Sequence, residues 1–445
     1  MLPNEINPFI GGAHMENNNN LAGKRLLLLG GVRQSCEIIE EAKRMGVETF
    51  VTDYDKDSPA KKIADHAFLV NAIDVDAVVQ LCREQKIDGV ITGYVDMLLP
   101  YCQQICEKLG KPFWGNADNI AMCTDKYQFK LACEKAGVPV VPWVRATKEN
   151  YMDLLESVKV PVVIKPVDNS GSRGVVKCFE ASKLQESIEK SLSFSKSGVV
   201  LIEKAMDIDE EFSTYYMMNH GKYYMTLMGD RYVYVVDEGV APVGHGMTYP
   251  SIHLKKWMDE VDPAIRCFFD QNDMKNGFAF FQGFYDKDEQ QLCVHEIGFR
   301  PVGGFSFKYV EHFSHFNRIR ELIRFSLTGS MDESELEKTN PFFDGYAITV
   351  TASLKPGVIG SVEGADKIRG MKEVIHFREL KEKGTEILPS TQGTLLSVFA
   401  YILCVVKTKE ERARMISVVQ ENLKVLDSNG NNMLNHFLDA SELKI

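Results

Sequence analysis

The 445-residue chain contains no run of 18 or more apolar residues, so nothing in it reads as a membrane-spanning helix. Its longest apolar stretch, Leu395 to Val406, is interrupted by Ser397 and rich in β-branched and aromatic side chains, which predicts a buried strand. No basic segment followed by an apolar one opens the sequence, so no export signal is expected. Positive charge is also scarce: 51 Lys+Arg stand against 62 Asp+Glu, a net charge of −11. Coating nucleic acid or an anionic membrane needs a broad basic face, and neither is expected as a partner. The ten cysteines include no Cys-x-x-Cys pair. Cys102 and Cys106 stand four apart with Ile105 and Leu109 on the same helix face, a spacing that points to packing rather than to metal. Reduced thiols and a cytoplasmic location are the expectation.

What is present is ordinary globular composition, 44% apolar and 25% charged. At roughly 150 residues per domain the length suggests about three domains. Residues 1–22 are set aside as a disordered leader or tag: Asn17 to Asn20 form a polar tract, and Gly12-Ala13-His14-Met15 resembles an expression remnant. From Lys24 onward strands alternate with helices. Leu26 to Leu29 is an apolar strand ending at Gly30-Gly31, and Ile38, Ile39, Ala42 and Met45 follow at helical spacing until Gly46. Val47 to Thr52 is a second strand, and Gly89 to Thr92 a further one after a helix around Ala77 to Cys82. Helix, glycine and strand recur as RMGVETF, KLGKPFW and KAGVPVV, which predicts a parallel, Rossmann-like α/β domain over 23–120.

The grammar then changes. A helix from Tyr127 to Ala136 precedes strands at Val160 to Lys165, Val175 to Phe179, Val199 to Glu203, Glu211 to Met218, Tyr223 to Met228 and Arg231 to Val236, with a turn expected at Gly229-Asp230. Phe278 to Tyr285 and Gln291 to Ile297 form a hairpin turning through Asp286-Lys287-Asp288. An antiparallel α+β domain over 121–330 is expected, then a mixed α+β domain over 331–445 with a strand at Tyr346 to Leu354 and a helix from about Lys409 to Val425.

Three segments carry chemistry. In PVVIKPVDNSGSRGV a strand delivers Lys165 into a small-residue turn, Ser170, Gly171, Ser172, Arg173 and Gly174, whose backbone N–H groups can crowd round an anion while the lysine supplies charge. The spacing is not that of a Walker loop, and an ordinary flexible hairpin is the plain alternative. In VVLIEKAMDIDEEF a strand ends at Glu203 and a short connector reaches Glu211, a carboxylate able to take two ribose hydroxyls. In FFQGFYDKDEQQLCVHEIGFRPVGG the paired strands place Gln282 and Glu296 to face one hard cation, with Arg300, Gly303 and Gly304 beyond. Gly30-Gly31 with Asp53 is half of a dinucleotide fingerprint, but LGGVRQS is not GxGxxG.

In order and spacing these elements resemble the ATP-grasp superfamily, in particular its carboxylate–amine ligases (L-amino acid ligases among them) and carbamoyl-phosphate-synthase-like members. The resemblance covers residues 24 to about 330. It implies an ATP-grasp fold behind a Rossmann-like domain and an ADP-forming ligase that joins a carboxylate to an amine. It also implies ATP with Mg²⁺ (Mn²⁺ able to substitute), small-molecule substrates, and a homodimer as a compatible assembly. By position, Lys126 and Lys165 resemble the two ATP lysines, and Ser170 to Gly174 the loop over the triphosphate. Glu203 and Ala205 resemble the adenine hinge, Glu211 the ribose ligand, Gln282 and Glu296 the Mg²⁺ ligands, and Arg300 the arginine facing the transferred phosphate. One departure stands out: the motif Glu-x-Asn-x-Arg reads Glu296-Ile297-Gly298-Phe299-Arg300 here, and Gly298 has no side chain for metal. On the substrate side Asp96 is a candidate, its alternative being a helix N-cap, and Gly303 and Gly304 are candidates too. His245 and Tyr249 are candidates in a Gly/Pro-rich loop. His295, next to Glu296 on a strand, is expected on the opposite face and in the core. His312 and His315 read as surface or packing residues. An impaired nucleotide-binding protein and, from Gly30-Gly31 and Asp53, a nicotinamide oxidoreductase are the competing readings.

Overall fold

The computed structural model describes residues 21–169, 173–234, 243–392, 394–435 and 437–444. Most of the expected leader, and Ser170, Gly171 and Ser172 of the expected phosphate loop, lie outside the described residues. Strands β1 (Arg25–Leu29), β2 (Glu48–Thr52), β3 (His66–Phe68) and β4 (Gly89–Thr92) form a parallel sheet in the order β3-β2-β1-β4. Leu26 to Leu29 are all buried, because helices cover both faces of the sheet and leave no polar side to alternate with. Helices α1 (Cys36–Arg44), α2 (Val75–Glu84) and α3 (Leu99–Leu109) surround it. The helix Arg318–Thr328, from far along the chain, packs against α1 and β4. A side chain at Gly89 would meet the Ser326 carbonyl oxygen at 2.3 Å, so glycine is what lets this helix come so near.

Two helices, α4 (Ala117–Thr124) and α5 (Lys126–Ala136), lead into an antiparallel sheet of β5 (Trp143–Thr147), β6 (Val162–Pro166), β7 (Val176–Cys178) and β8 (Val199–Lys204), ordered β5-β8-β6-β7. Its core is formed with the helix Leu184–Leu192, through Ile164, Ile188 and Ile202. Next come β9 (Glu211–Asn219), β10 (Lys222–Tyr234), β11 (Val243–Tyr249), β12 (Gly277–Asp286) and β13 (Gln291–Gly298). The last strands are β14 (Tyr346–Ser353), β15 (Gly357–Glu363), β16 (Val374–Glu379), β17 (Glu386–Ile387), β18 (Val398–Val406) and β19 (Lys424–Asp427). Eight of these make one sheet, β13-β12-β9-β10-β11-β14-β18-β16, while β17-β15-β19 form a small sheet beside it. The large sheet therefore runs across residue 330, with β11 paired to β14 from Gly246–Val350 to Tyr249–Ala347.

Several expectations are not met. Gly229 and Asp230 form no turn; they lie within β10, opposite Ser213 and Phe212 of β9. Gly229 is there because the Tyr249 ring lies where its Cβ would be, 2.4 Å away. Asp230 is satisfied inside the protein, accepting from Ser251 Oγ at 2.6 Å and Ile252 N at 3.0 Å. No strand follows α3 in KLGKPFW, and in KAGVPVV only Val140 pairs, through an isolated bridge to Val294. The last long helix spans Lys409–Asn422, shorter than expected, and β19 begins two residues later.

Candidate functional site

Asp125 starts α5 by accepting from Tyr127 N and Gln128 N, both at 2.9 Å, which puts Lys126 in the first turn and Lys130 one turn on along the same face. On the adjoining strands β6 and β8, Lys165 and Glu203 meet. Lys165 Nζ lies 2.6 Å from Glu203 Oε2, and Lys130 Nζ lies 3.1 Å from Oε1. Lys130 is 0% exposed and also donates to the Val141 carbonyl at 3.0 Å. Burial alone would raise the Glu203 carboxyl, but the lysines Lys165 and Lys130 outweigh it and hold the group below its ordinary range. Burial likewise pulls Lys130 down, opposed by the charge of Glu203.

The hairpin β12–β13 faces this cluster. Gln282 and Glu296 are directly opposite each other. Lys126 Nζ donates to Asn169 O at 2.6 Å and stands 3.9 Å from Glu296 Oε1. The flanks of the expected phosphate loop are pinned. Asp168 accepts from Ser197 N at 2.7 Å, Asn169 Nδ2 donates to Phe194 O at 2.8 Å, and Gly174, at φ +79°, is packed against Phe194. Arg173 is exposed. Lys204 Nζ ties the hinge to the hairpin through Asp286 Oδ2 at 2.6 Å, and Ala205 donates its own N–H to Pro161 O at 3.1 Å.

Two members of the site escape the sequence. His295 is not directed away into the core: its Nδ1 lies 3.5 Å from Lys165 Nζ, with its ring 5.1 Å from Phe284. The register between Gln282–Glu296 and Gly283–Val294 skips His295, and this bulge breaks the alternation that would have pointed it elsewhere. Burial, followed by the charge of Lys165, holds its imidazole neutral, well below the ordinary histidine range. Arg231 of β10 donates through Nη1 to Glu211 Oε1 at 2.5 Å, so the expected ribose ligand is held by an arginine; Gln282 Nε2 approaches the same oxygen at 3.5 Å.

Asp96 caps no helix; it pairs with Arg300 instead. Nε to Oδ1 and Nη2 to Oδ2 both measure 2.6 Å, a two-pronged ion pair between the N-terminal sheet and the end of β13. Arg300 also lies over the Phe280 ring, 5.2 Å from its centre. Phe280 is the register partner of Gly298, and a Cβ at Gly298 would fall 2.1 Å from its ring. The departure from Glu-x-Asn-x-Arg thus has a packing cause: the phenylalanine fills the space that a side chain at 298 would need. Gly303 passes within 2.7 Å, measured from an added Cβ, of Gln34 Oε1, and Gly304 has φ +81°.

His245 and Tyr249 lie in no loop. They belong to β11, an interior strand, and both are 1% exposed. His245 sits 5.3 Å from the Tyr234 ring and 3.5 Å from Glu442 Oε2, whereas Tyr249 donates to Met247 Sδ at 3.2 Å and packs on Tyr309. The glycines that suggested a loop mark close approach instead, since a side chain at Gly246 would meet Leu438 at 2.6 Å. His312 packs on Phe313. Asp53 accepts from the N–H groups of Gly31 at 2.6 Å and Asp55 at 2.8 Å, so it braces its own turn.

These features define an ATP-grasp fold: two antiparallel sheets whose strands, with α5, bring Lys126, Lys165, Glu203 and Glu296 together, behind a parallel N-terminal sheet. Residues 26–108 match the model of the PylC-like N-terminal domain, and 125–215 that of the carbamoyl-phosphate synthase L chain ATP-binding domain. An L-amino acid ligase from Bacillus licheniformis is similar at a TM-score of 0.75 and 20% identity, over 92% of this chain and 100% of that one. A phosphoribosylglycinamide synthetase from Anaerococcus prevotii is similar at 0.74 and 16%, over 91% and 100%. By sequence, a formate-dependent phosphoribosylglycinamide formyltransferase of Sulfolobus acidocaldarius is 31% identical over 194 residues, 43% of this chain and 48% of that protein. The chain thus spans about half the length of the curated relatives it matches. No helix among the described residues is long and apolar enough to cross a membrane.

Proposed function

We propose that the protein is an ATP-dependent carboxylate–amine ligase. A substrate carboxylate attacks the γ-phosphate of ATP to give an acyl phosphate and ADP, and an amine then displaces phosphate from the acyl carbon. The observation that carries this reading is the convergence of Lys126 and Lys165, from two different elements, on the strands bearing Gln282 and Glu296. The lysines supply positive charge for the phosphates, and the burial of Lys165 strengthens such an interaction relative to one in water. Gln282 and Glu296 suit Mg²⁺, or Mn²⁺ in its place, because they are oxygen donors side by side and Gln282 engages Glu211 only through its nitrogen. Such a cation, when bound, would neutralise charge on the transferring phosphate. Arg300, released from or shared with Asp96, would stabilise the acyl phosphate. The segment around Ser170 to Gly174 would cover it, Glu203 and Ala205 would border the base, and Glu211 the ribose. The relatives' names support a ligase of small metabolites without choosing the substrate.

We also propose the division into 23–120, 121–330 and 331–445, the last two sharing the eight-stranded sheet rather than forming separate folding units, and a cytoplasmic location, supported by ten cysteines that form no disulfide. A homodimer is compatible with this reading, and nucleic acid is not among the partners we propose. The test is release of phosphate and ADP from MgATP with pairs of amino acids. Lys165→Ala and Glu296→Ala should each cut the rate by about 100-fold or more. Activity unchanged in both variants would remove these residues from the site.

A further inference from the structure

Glu211 sits where two strands stop supporting each other. The ladder between β9 and β10 ends at the pair Phe212–Asp230. One step further out, Glu211 and Arg231 are joined through their side chains, by the ion pair at 2.5 Å. One step beyond that, Glu210 and Tyr232 are bridged by Lys444, a residue 212 positions after Tyr232 in the chain. Lys444 donates its backbone N–H to the Tyr232 hydroxyl at 2.9 Å. Its Nζ is buried, makes no hydrogen bond among the described residues, and stands 3.8 Å from Glu210 Oε2.

A strap needs an anchor of its own, and Lys444 has one. Arg412, 1% exposed, donates through Nη2 to the Lys444 carbonyl at 3.3 Å, and the neighbouring Leu443 is buried in the core of the C-terminal region. Tyr232 turns into the same core, on the opposite face of β10 from Arg231. Glu210 has two other basic neighbours. Lys287 Nζ lies 2.9 Å from Oε1 but is 58% exposed, so water screens that pair. His253 Nε2 lies 3.6 Å from Oε2, and burial favours its neutral form. Lys444 is the buried charge of the three. Glu210 also ends the helical turn Ile208–Glu210, so its position sets that of Glu211, the first residue of β9. Pairing with Phe284 of β12 holds Glu211 on one side. On the other side, where the ladder has ended, Lys444 supplies the tie.

We propose that Lys444 is a positioning residue of the nucleotide site: it straps β9 to β10 behind the Glu211–Arg231 pair and so fixes the carboxylate that receives the ribose hydroxyls. Lys444 does not itself touch the nucleotide, and the proposal rests on the reading of Glu211 as the ribose ligand. A carboxylate that takes two hydroxyls must have both oxygens in place at once. Holding it there before the ligand arrives removes an ordering cost from binding.

The experiment is equilibrium binding and needs no turnover. Affinities for ADP and for 2′,3′-dideoxy-ADP, which lacks both ribose hydroxyls, are measured on the full-length protein with Mg²⁺ by calorimetry. The parent should prefer ADP, and Glu211→Gln should lose that preference. Lys444→Met should weaken ADP about 3- to 10-fold, the value of one hydrogen bond, and leave dideoxy-ADP unchanged. Lys444→Arg, which keeps the charge, should retain most of the ADP affinity. If Lys444→Met does not fold, Glu210→Gln and Tyr232→Phe, each removing one end of the strap, must show the same selective loss. A merely structural lysine would weaken both nucleotides alike or neither. Either result in a folded variant overturns the strap, even where Glu211→Gln behaves as expected. A parent that binds the two nucleotides equally overturns the ribose reading, and the strap falls with it.

Discussion

Glu203 is a carboxylate shut between two lysines, and its removal leaves both charges without a partner in the protein interior. Breaking one side of a buried ionic group costs about 3–5 kcal/mol, far more than an exposed pair. Glu203→Gln should therefore lose about that much stability, seen as a lower urea midpoint. Because its folded pKa is depressed, the stabilisation is present above the ordinary glutamate value and disappears as pH falls through the folded one; Glu203→Gln should lack this acid-side loss. At this scale the sequence is legible where a residue type announces its chemistry. Lys126, Lys165, Glu203 and Glu296 stand out from their neighbours and meet in space. Lys130 does not stand out, although its position four residues after Lys126 in α5 was a usable signal. His295 was hidden by a bulge that no pattern of alternating residues reveals, and Arg231 by the turn wrongly read into Gly229-Asp230.

Among elements, the hairpin β12–β13 shows how one glycine can be read in two ways. Gly298 looks like a lost metal ligand when only the motif is considered, and like a seat for Phe280 once the strands are paired. Adding a side chain there overpacks the contact, so Gly298→Ala should destabilise by about 1–3 kcal/mol. Phe280→Leu should recover part of that loss in the double variant. Chemical denaturation of the two single variants and the pair checks this; strictly additive effects would mean that the ring and the glycine are independent. The same ambiguity explains the element errors. Glycine marks turns, but in β10 and β11 it marks places where Tyr249 and Leu438 come too near for a Cβ, and only the folded arrangement tells the two apart.

For the whole molecule, the contact between the N-terminal domain and the far edge of the large sheet is open to a pH test. His376 on β16 faces Glu37 of α1 at 3.8 Å, yet burial, then Lys308 and Arg378, lower its pKa to about 4. An unfolded histidine titrates near ~6.5, so between there and about 4 the unfolded chain binds the extra proton. Stability should rise with pH across that window, be complete above it, and be lost on acidification. His376→Phe should flatten the dependence of the urea midpoint between pH 4.5 and 7.5, whereas an unchanged slope would place the titration elsewhere. The parallel domain and the hairpin were readable from local sequence. The shared sheet was not, because β11 and β14 are joined by a pairing between distant segments that leaves no local trace.

That pairing has a consequence for synthesis on the ribosome. A nascent chain that has emerged only to about residue 340 already carries every group assigned to nucleotide, yet β11 still lacks β14 along one side. Its bare N–H and C=O row is an open invitation to any neighbouring strand. Premature termination in the last quarter of the gene should therefore yield aggregation-prone protein rather than a smaller working enzyme.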